Sequence, residues 1–160
     1  MEKSIPSIYN SHTMHIVNKK ATHDYTILER FESGIQLNGA EVKSLKGGHA
    51  TLDGSFVRII GSEAYLVNAQ IFPFIYARPE GYDPRRTRKL LMHKRELLSL
   101  KSKTDGANLT LVPTAWYTKG PLVKLEIALA RGKKQYEKRE AKRRKDERRE
   151  LEREFRGKVK

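Results

Sequence analysis

The side chains with the most chemical potential in this sequence are five histidines, three glutamates in the first third of the chain and one pair of glycines. The histidines stand at 12, 15, 23, 49 and 93, with no His-Glu-x-x-His and no spacing that closes a zinc site. Gly47-Gly48-His49 lacks the Gly-x-x-x-x-Gly-Lys-Ser/Thr pattern whose backbone amides cradle a phosphate, so it reads as a helix end and a turn. There is no Gly-x-Ser-x-Gly, and the absence of cysteine removes disulfides, thiolate metal ligands and Cys nucleophiles. Glu29, Glu32 and Glu41 can approach one another, but nothing marks two of them as an acid–base pair. The residues therefore suggest no catalytic centre, no metal and no cofactor.

Binding chemistry is plentiful. Lys and Arg number 33 against 19 Asp and Glu, a formal charge of +14. The cations cluster at Lys19-Lys20, Arg85-Arg86-Thr87-Arg88-Lys89, Lys94-Arg95, residues 101–103 and residues 131–134. Phosphate contacts dominate affinity for nucleic acids, so spread cations of this kind point to a polyanionic partner. Tyr82, Trp116, Tyr117 and Tyr136 lie among them, and such rings either stack on unpaired bases or pack. Packing is the better reading for Trp116 and Tyr117, while Tyr136 stays open. Apolar residues are 38% of the chain and nowhere form a run long enough to span a bilayer. The first twenty residues lack the apolar stretch of a secretory signal. A soluble, cytoplasmic protein is expected.

The elements that would carry these residues are mostly strands. Tyr25, Ile27 and Glu29 alternate with Asp24, Thr26 and Leu28, a strand running towards Leu37. Residues 55–60 and 63–68 flank Gly61-Ser62 as a hairpin, and residues 109–117 and 123–129 form a second across Thr118-Lys119-Gly120-Pro121. Lys124 and Glu126 alternate with Val123, Leu125 and Ile127, so that strand has a wet face. Residues 40–46 read as a short helix stopping at Gly47-Gly48, and residues 93–103 as an amphipathic one. Five or six strands with inserted helices suggest a mainly β fold, a small closed or nearly closed antiparallel barrel.

Residues 131–160 differ in kind, with 15 Lys and Arg, 7 Asp and Glu, and only five apolar residues. That is too little apolar surface to offset an ordering cost of roughly 1–2 kcal/mol per residue. Helix formers dominate, however, and no Pro interrupts them. Glu140–Arg144 and Glu152–Arg156 are favourable pairs four apart, and Leu151, Phe155 and Val159 form a narrow stripe. The segment reads either as a solvated tail or as one that becomes helical against nucleic acid.

Several blocks in order resemble the SsrA-binding protein family. They are Asn18-Lys19-Lys20-Ala21, Tyr25, Glu32-Ser33-Gly34-Ile35, residues 39–45, Asp83-Pro84, and Arg88-Lys89-Leu90-Leu91-Met92-His93. Thr110-Leu111-Val112-Pro113, Val123-Lys124-Leu125-Glu126 and residues 130–139 continue the match, which spans about residues 16–150. The resemblance implies an OB-fold-like barrel over residues 16–132 and a basic C-terminal tail over 133–160. The tail would be disordered when free and helical on the ribosome, and residues 1–15 would be a flexible extension. It implies binding to the tRNA-like domain of transfer-messenger RNA (tmRNA) and delivery to stalled ribosomes for trans-translation. The barrel would mimic the missing anticodon arm, and the tail would probe the empty mRNA channel near the decoding centre and 16S rRNA. Elongation factor Tu and alanyl-tRNA synthetase would be met indirectly, through the RNA. A monomer with no membrane contact is expected.

Carried over by position, the resemblance implies RNA-binding roles for Asn18, Lys19, Lys20, Tyr25, Glu32, Arg88, Lys89, Leu91, His93 and Lys124. It implies ribosomal roles for Arg131, Gly132, Lys133, Lys134, Tyr136, Glu137, Lys138, Arg139, Arg143 and Arg144. Glu137 stands where the family often has Asp. Two other classes compete: a ribosomal protein or general RNA chaperone, which would bind many RNAs alike, and a nuclease or RNA-modifying enzyme, which would need a carboxylate cluster or cofactor loop.

Overall fold

Asn18 is where the chain first turns. Its side-chain oxygen accepts from the Ala21 N–H at 3.3 Å, capping the helix α1 (Lys19–Asp24). Its amide donates to the carbonyls of Pro113 (2.9 Å) and Leu52 (3.3 Å), which clips that helix onto the body. The computed structural model describes residues 14–77 and 80–158. Around this clip run β1 (His15–Val17), β2 (Tyr25–Ile35), α2 (Gly39–Lys46), β3 (Ala50–Thr51), β4 (Phe56–Ile60) and β5 (Glu63–Val67). Then come β6 (Gln70–Ile71), β7 (Arg88–Leu91), α3 (Lys94–Asp105), β8 (Leu109–Lys119), β9 (Leu122–Gly132) and α4 (Gln135–Lys158).

All pairings are antiparallel, and they close on themselves. β8 pairs β4, β4 pairs β5, β5 pairs β7, β7 pairs β2, β2 pairs β9, and β9 returns to β8. Closure leaves the ring no free edge to recruit another chain. β1 lies outside it, beside the far half of β8, and β3 with β6 makes a separate ribbon. This is the small barrel with short flanking helices that the strand pattern suggests.

Two long strands bend to make closure possible. The β2–β9 register shifts at Leu28 and the β8–β9 register at Thr114. An extra residue in one strand kinks it and raises its twist. Leu28 is turned out to solvent, whereas Thr114 is turned in, its hydroxyl donating to the Glu126 side chain at 2.6 Å. The two expected hairpins form, with Gly61 (φ +62) and Gly120 (φ +59) in left-handed turns where a Cβ would be strained. Inside sit Leu66, Leu90, Leu111, Trp116, Leu125 and Ile127, with Leu45 of α2 and Leu97 and Leu100 of α3 packed against them. Each such side chain contributes roughly 1.5–3 kcal/mol by leaving water.

α2 and α3 fall where helix periodicity and glycine stops place them. Asn38 and Glu41 form a reciprocal cap on α2, at 2.9 and 3.0 Å. Three expectations need correction. Asp24 ends α1 instead of entering the strand, and β2 stops at Ile35, short of Leu37. β1, α1 and β7 have three to six residues each, and their tertiary partners rather than local pattern decide them. Glu29, Glu32 and Glu41 do not meet: Glu41 is interior, Glu29 pairs Lys103, and Glu32 faces Tyr117. Of the expected N-terminal extension, residues 1–13 lie outside the described residues, and His15 already belongs to β1.

Candidate nucleic-acid interface

Lys124, Gly34 and Leu91 stand opposite one another on β9, β2 and β7, on the outer face of the barrel. A Cβ at Gly34 would lie 3.1 Å from the Cβ of Leu91, tight enough that Leu91 would have to give by a few tenths of an ångström. The glycine therefore leaves a saddle across which Leu91, 54% exposed, can lie. The start of α3 supplies a wall through His93, Lys94, Glu96 and Leu97. With Glu32, Glu63, Lys89 and Lys124 these residues bound a groove of about 710 Å³. Five residues expected to bind RNA from well-separated parts of the sequence thus share one concavity: Glu32, Lys89, Leu91, His93 and Lys124.

Two of the groove's three carboxylates, Glu32 and Glu63, are held by neighbours. The Tyr117 hydroxyl donates to Glu32, and with the nearby charges of Lys119 and Lys124 it outweighs burial, keeping that carboxyl below its ordinary range. Lys89 donates to Glu63, which raises the ammonium's pKa and, with the Tyr65 hydroxyl, lowers that of the carboxyl. The site is therefore a mixed surface. Lys124, His93 and Lys94 offer donors, Glu32 offers a fixed acceptor, and Leu91 offers an apolar contact. Such a set can meet phosphate, a base edge or 2′-hydroxyl, and a base or sugar face respectively.

Three expected contacts are turned inward. Arg88 is fully buried: its guanidinium donates to Glu41 (2.8 and 3.0 Å) and to the carbonyls of Ala69, Arg86 and Pro84. It therefore has no face for RNA. Asn18 is buried, with its side chain committed to the clip described above. Tyr25 is half-buried against the small cluster of Ala21, Val112, Ala128 and Ala130. Burial of these three follows from strand alternation and capping, which a run of motif residues does not display. Lys19 and Lys20 are exposed on α1, away from the groove, and Lys20 pairs Asp53 at 3.3 Å.

The tail leaves from that same end. β2 meets β9 from Tyr25↔Gly132 to Gly34↔Lys124, so the tail's root and the groove lie about 25 Å apart along one ladder. The Lys133 N–H donates to the Asp24 carbonyl (2.9 Å) and its ammonium to the Thr22 carbonyl (3.0 Å). Lys138 pairs the Asp24 carboxylate at 3.2 Å. Glu137 accepts from the Lys134 N–H at 2.8 Å, satisfying a helix-start amide that has no partner within α4. Beyond that root α4 buries no residue, and Arg131, Gly132, Lys134, Tyr136, Arg139 and Arg144 are exposed. Its ion pairs are Arg143–Glu147 and Arg148–Glu152, not the expected Glu140–Arg144 and Glu152–Arg156. Leu151 and Phe155 are exposed on the helix, and Val159 lies outside the described residues.

Gly34, Asp24, Glu63 and Tyr117 shape these two places without having been picked out for it. Tyr117, for which packing is the better sequence reading, presents its hydroxyl to Glu32, while Trp116 is wholly buried as packing requires. Glycine inside a β pattern two residues after an acidic side chain was the available signal for Gly34.

Among the described residues no His, Asp or Glu group is arranged to hold a metal, and no helix is long and apolar enough to cross a membrane. A ring of antiparallel strands with a mixed-charge outer groove and a long basic helix defines a small β-barrel protein with the charge pattern of a nucleic-acid binder. The sequence profile of the SmpB protein family matches residues 15–157, and the chain belongs to that family. An SsrA-binding protein of Sulfurihydrogenibium sp. (strain YO3AOP1) is 53% identical over 143 residues, covering 89% of this chain and 94% of the relative. That of Persephonella marina is 50% identical over the same shares. A solved structure described as "tmRNA-SmpB: a journey to the center of the bacterial ribosome" superposes with a TM-score of 0.65. It is 46% identical and covers 76% of this chain and 86% of that one.

Proposed function

We propose that this chain binds the tRNA-like domain of tmRNA through the outer groove and delivers it to stalled ribosomes for trans-translation. One observation carries the reading. The groove and the tail root sit at opposite ends of a single β2–β9 ladder, so a rigid body separates an RNA-holding surface from a basic helix. Membership of the SmpB family and likeness to a structure described as tmRNA–SmpB on the bacterial ribosome support the partners.

In this reading Lys89, Lys124 and His93 meet the backbone, Glu32 accepts from a base amine or 2′-hydroxyl, and Leu91 covers an exposed base or sugar. The barrel stands in for an anticodon arm. Residues 133–160 enter the empty mRNA channel, where surrounding rRNA phosphate favours a helix that buries no side chain against the barrel. Elongation factor Tu and alanyl-tRNA synthetase act on the RNA and not on this chain. The protein works as a cytoplasmic monomer by binding, without a catalytic step.

The test is binding of bacterial tmRNA to the full chain and to a chain ending at residue 132, with tRNA as competitor, at two salt concentrations. Salt separates specific from general attraction, because each phosphate contact adds to the salt dependence. The expected result is tight binding by both forms that survives excess tRNA and higher salt, with rescue activity confined to the full chain. Equal competition by tRNA with collapse in salt would reduce the protein to a general RNA binder. Loss of most affinity on truncation would overturn the separation of barrel and tail.

A further inference from the structure

The outer face of the sheet continues past the groove. Lys89 on β7 stands opposite Tyr65 on β5, which stands opposite Arg58 on β4, making a cation–ring–cation row across three strands. Phe56 shares that face two residues before Arg58, and the Arg58 guanidinium lies over its ring at 5.9 Å from the centroid. Phe56 is 38% exposed and Ile60, further along the same face, 58%. Glu63 takes both the Tyr65 hydroxyl and the Lys89 ammonium, which fixes the middle of the row. Among the described residues the Arg58 side chain makes no hydrogen bond or ion pair, and the Phe56 ring is its one aromatic partner.

The Arg58–Phe56 contact is a modest gain at an exposed site, and it leaves the ring part-open and the guanidinium without an ion pair. The combination suits unpaired nucleotides. Aromatic rings and guanidinium planes stack on any base, and Arg and Lys meet the adjoining phosphates. A duplex, whose bases are stacked on one another, cannot use the rings. Charge and continuity favour RNA over a protein partner, since the row shares Lys89 with the groove and belongs to a chain of formal charge +14.

We infer that Phe56, Arg58 and Tyr65 on the outer face of β4 and β5 form a stacking platform for unpaired nucleotides of the RNA held in the groove. The inference rests on the groove reading and extends its RNA track by two strands.

The test uses the full chain with a fluorescein-labelled ten-nucleotide oligouridylate, and an RNA duplex of equal length for comparison. Phe56→Ala is expected to weaken oligouridylate binding by about five- to a hundredfold, the effect of losing one base–aromatic stack, and to leave duplex binding unchanged. Arg58→Gln should weaken it as well and flatten the slope of log affinity against log salt by about 0.7, the loss of one single-strand phosphate contact. Phe56→Tyr keeps the ring and should keep the affinity. Should Phe56→Ala fail to fold, Arg58→Gln at an exposed position decides. Oligouridylate affinity within twofold of the parent with an unchanged salt slope overturns the platform, as does equal loss on the duplex, or capture of a protein partner sensitive to Phe56 with no RNA effect. Lys124→Ala assayed on tmRNA separates the two readings. Loss there with intact oligouridylate binding in the Phe56 and Arg58 variants keeps the groove and refutes the platform. The opposite pattern keeps the platform and refutes the groove.

Discussion

Replacing Glu41 by Gln tests the interior ion cluster that anchors β7, and so the groove above it. Glu41 and Arg88 are both fully buried side chains. The carboxylate accepts from Arg88 at 2.8 and 3.0 Å, from Arg86 Nε at 2.8 Å and from the Asn38 N–H at 3.0 Å. Gln keeps the volume and, with its oxygen on the Asn38 N–H, the cap on α2, but its NH2 group replaces the oxygen that accepts from Arg88, so both the charge and that acceptor are lost. Arg88 retains its carbonyl partners but becomes a buried cation with no counter-ion. Arg86 is more than a third exposed and turns to water at little cost. Breaking a buried pair from one side costs about 3–5 kcal/mol, a large share of the roughly 5–15 kcal/mol that holds a domain together. At this chain length the melting midpoint should fall by about 6–20 °C.

Urea unfolding followed by the fluorescence of the sole tryptophan, Trp116, measures the loss directly, and the slope should be unchanged. Acid gives a second reading. Burial pushes the Glu41 carboxyl up, but the Arg86 hydrogen bond, the Asn38 N–H and the Arg88 charge together hold it below its ordinary range. A carboxyl lowered on folding stabilises fully above its unfolded pKa, about 4.3, and progressively less as pH falls through the folded value. The difference between the parent and Glu41→Gln should therefore shrink below about pH 4. Adding Arg88→Met to Glu41→Gln should recover stability by removing the orphan charge. A loss under about 1 kcal/mol at neutral pH, or one that ignores pH into the acid range, would refute the reasoning.

Further outcomes concern the groove and the tail. Gly34→Val fills the saddle against Leu91, so tmRNA affinity should drop at least about tenfold, or ~1.4 kcal/mol, while the barrel still melts cooperatively; an unchanged Kd would remove the saddle from the site. Amide exchange in the free protein should be fast over residues 140–158 and slower at 135–138. Asp24→Asn should erase that slow root while leaving barrel stability within about 1 kcal/mol, the worth of an exposed pair. His23 and then Lys138 hold the Asp24 carboxyl below its ordinary range, so acid should loosen the root as the substitution does; slow exchange along the whole tail would contradict this picture.

Much of the barrel could be read locally. The two hairpins follow from glycine between alternating apolar runs, α2 from the run at 40–46 and its Gly47-Gly48 stop, and the helical tendency of the tail from a thirty-residue stretch of formers with no proline. Net charge pointed to a polyanionic partner, and the sequence offered no cysteine and no metal-ligand spacing. These are properties of neighbours in sequence, and a helix turn or a hairpin is decided within a few residues.

The interior and the groove were decided across the fold. Of the cluster at 85–89, Lys89 faces out and Arg88 faces in, because adjacent strand residues point to opposite sides and Glu41, 47 positions away, needed a counter-ion. Asn18 became a clip because the carbonyls of Leu52 and Pro113 arrived beside it. Glu32, Leu91 and Lys124 became one surface only when β2, β7 and β9 took their register, with Gly34 giving up its side chain to let them meet. Charge, turn chemistry and helix propensity travel with the residues themselves; which cation is buried, and which distant side chains share a groove, exists only after the strands have paired.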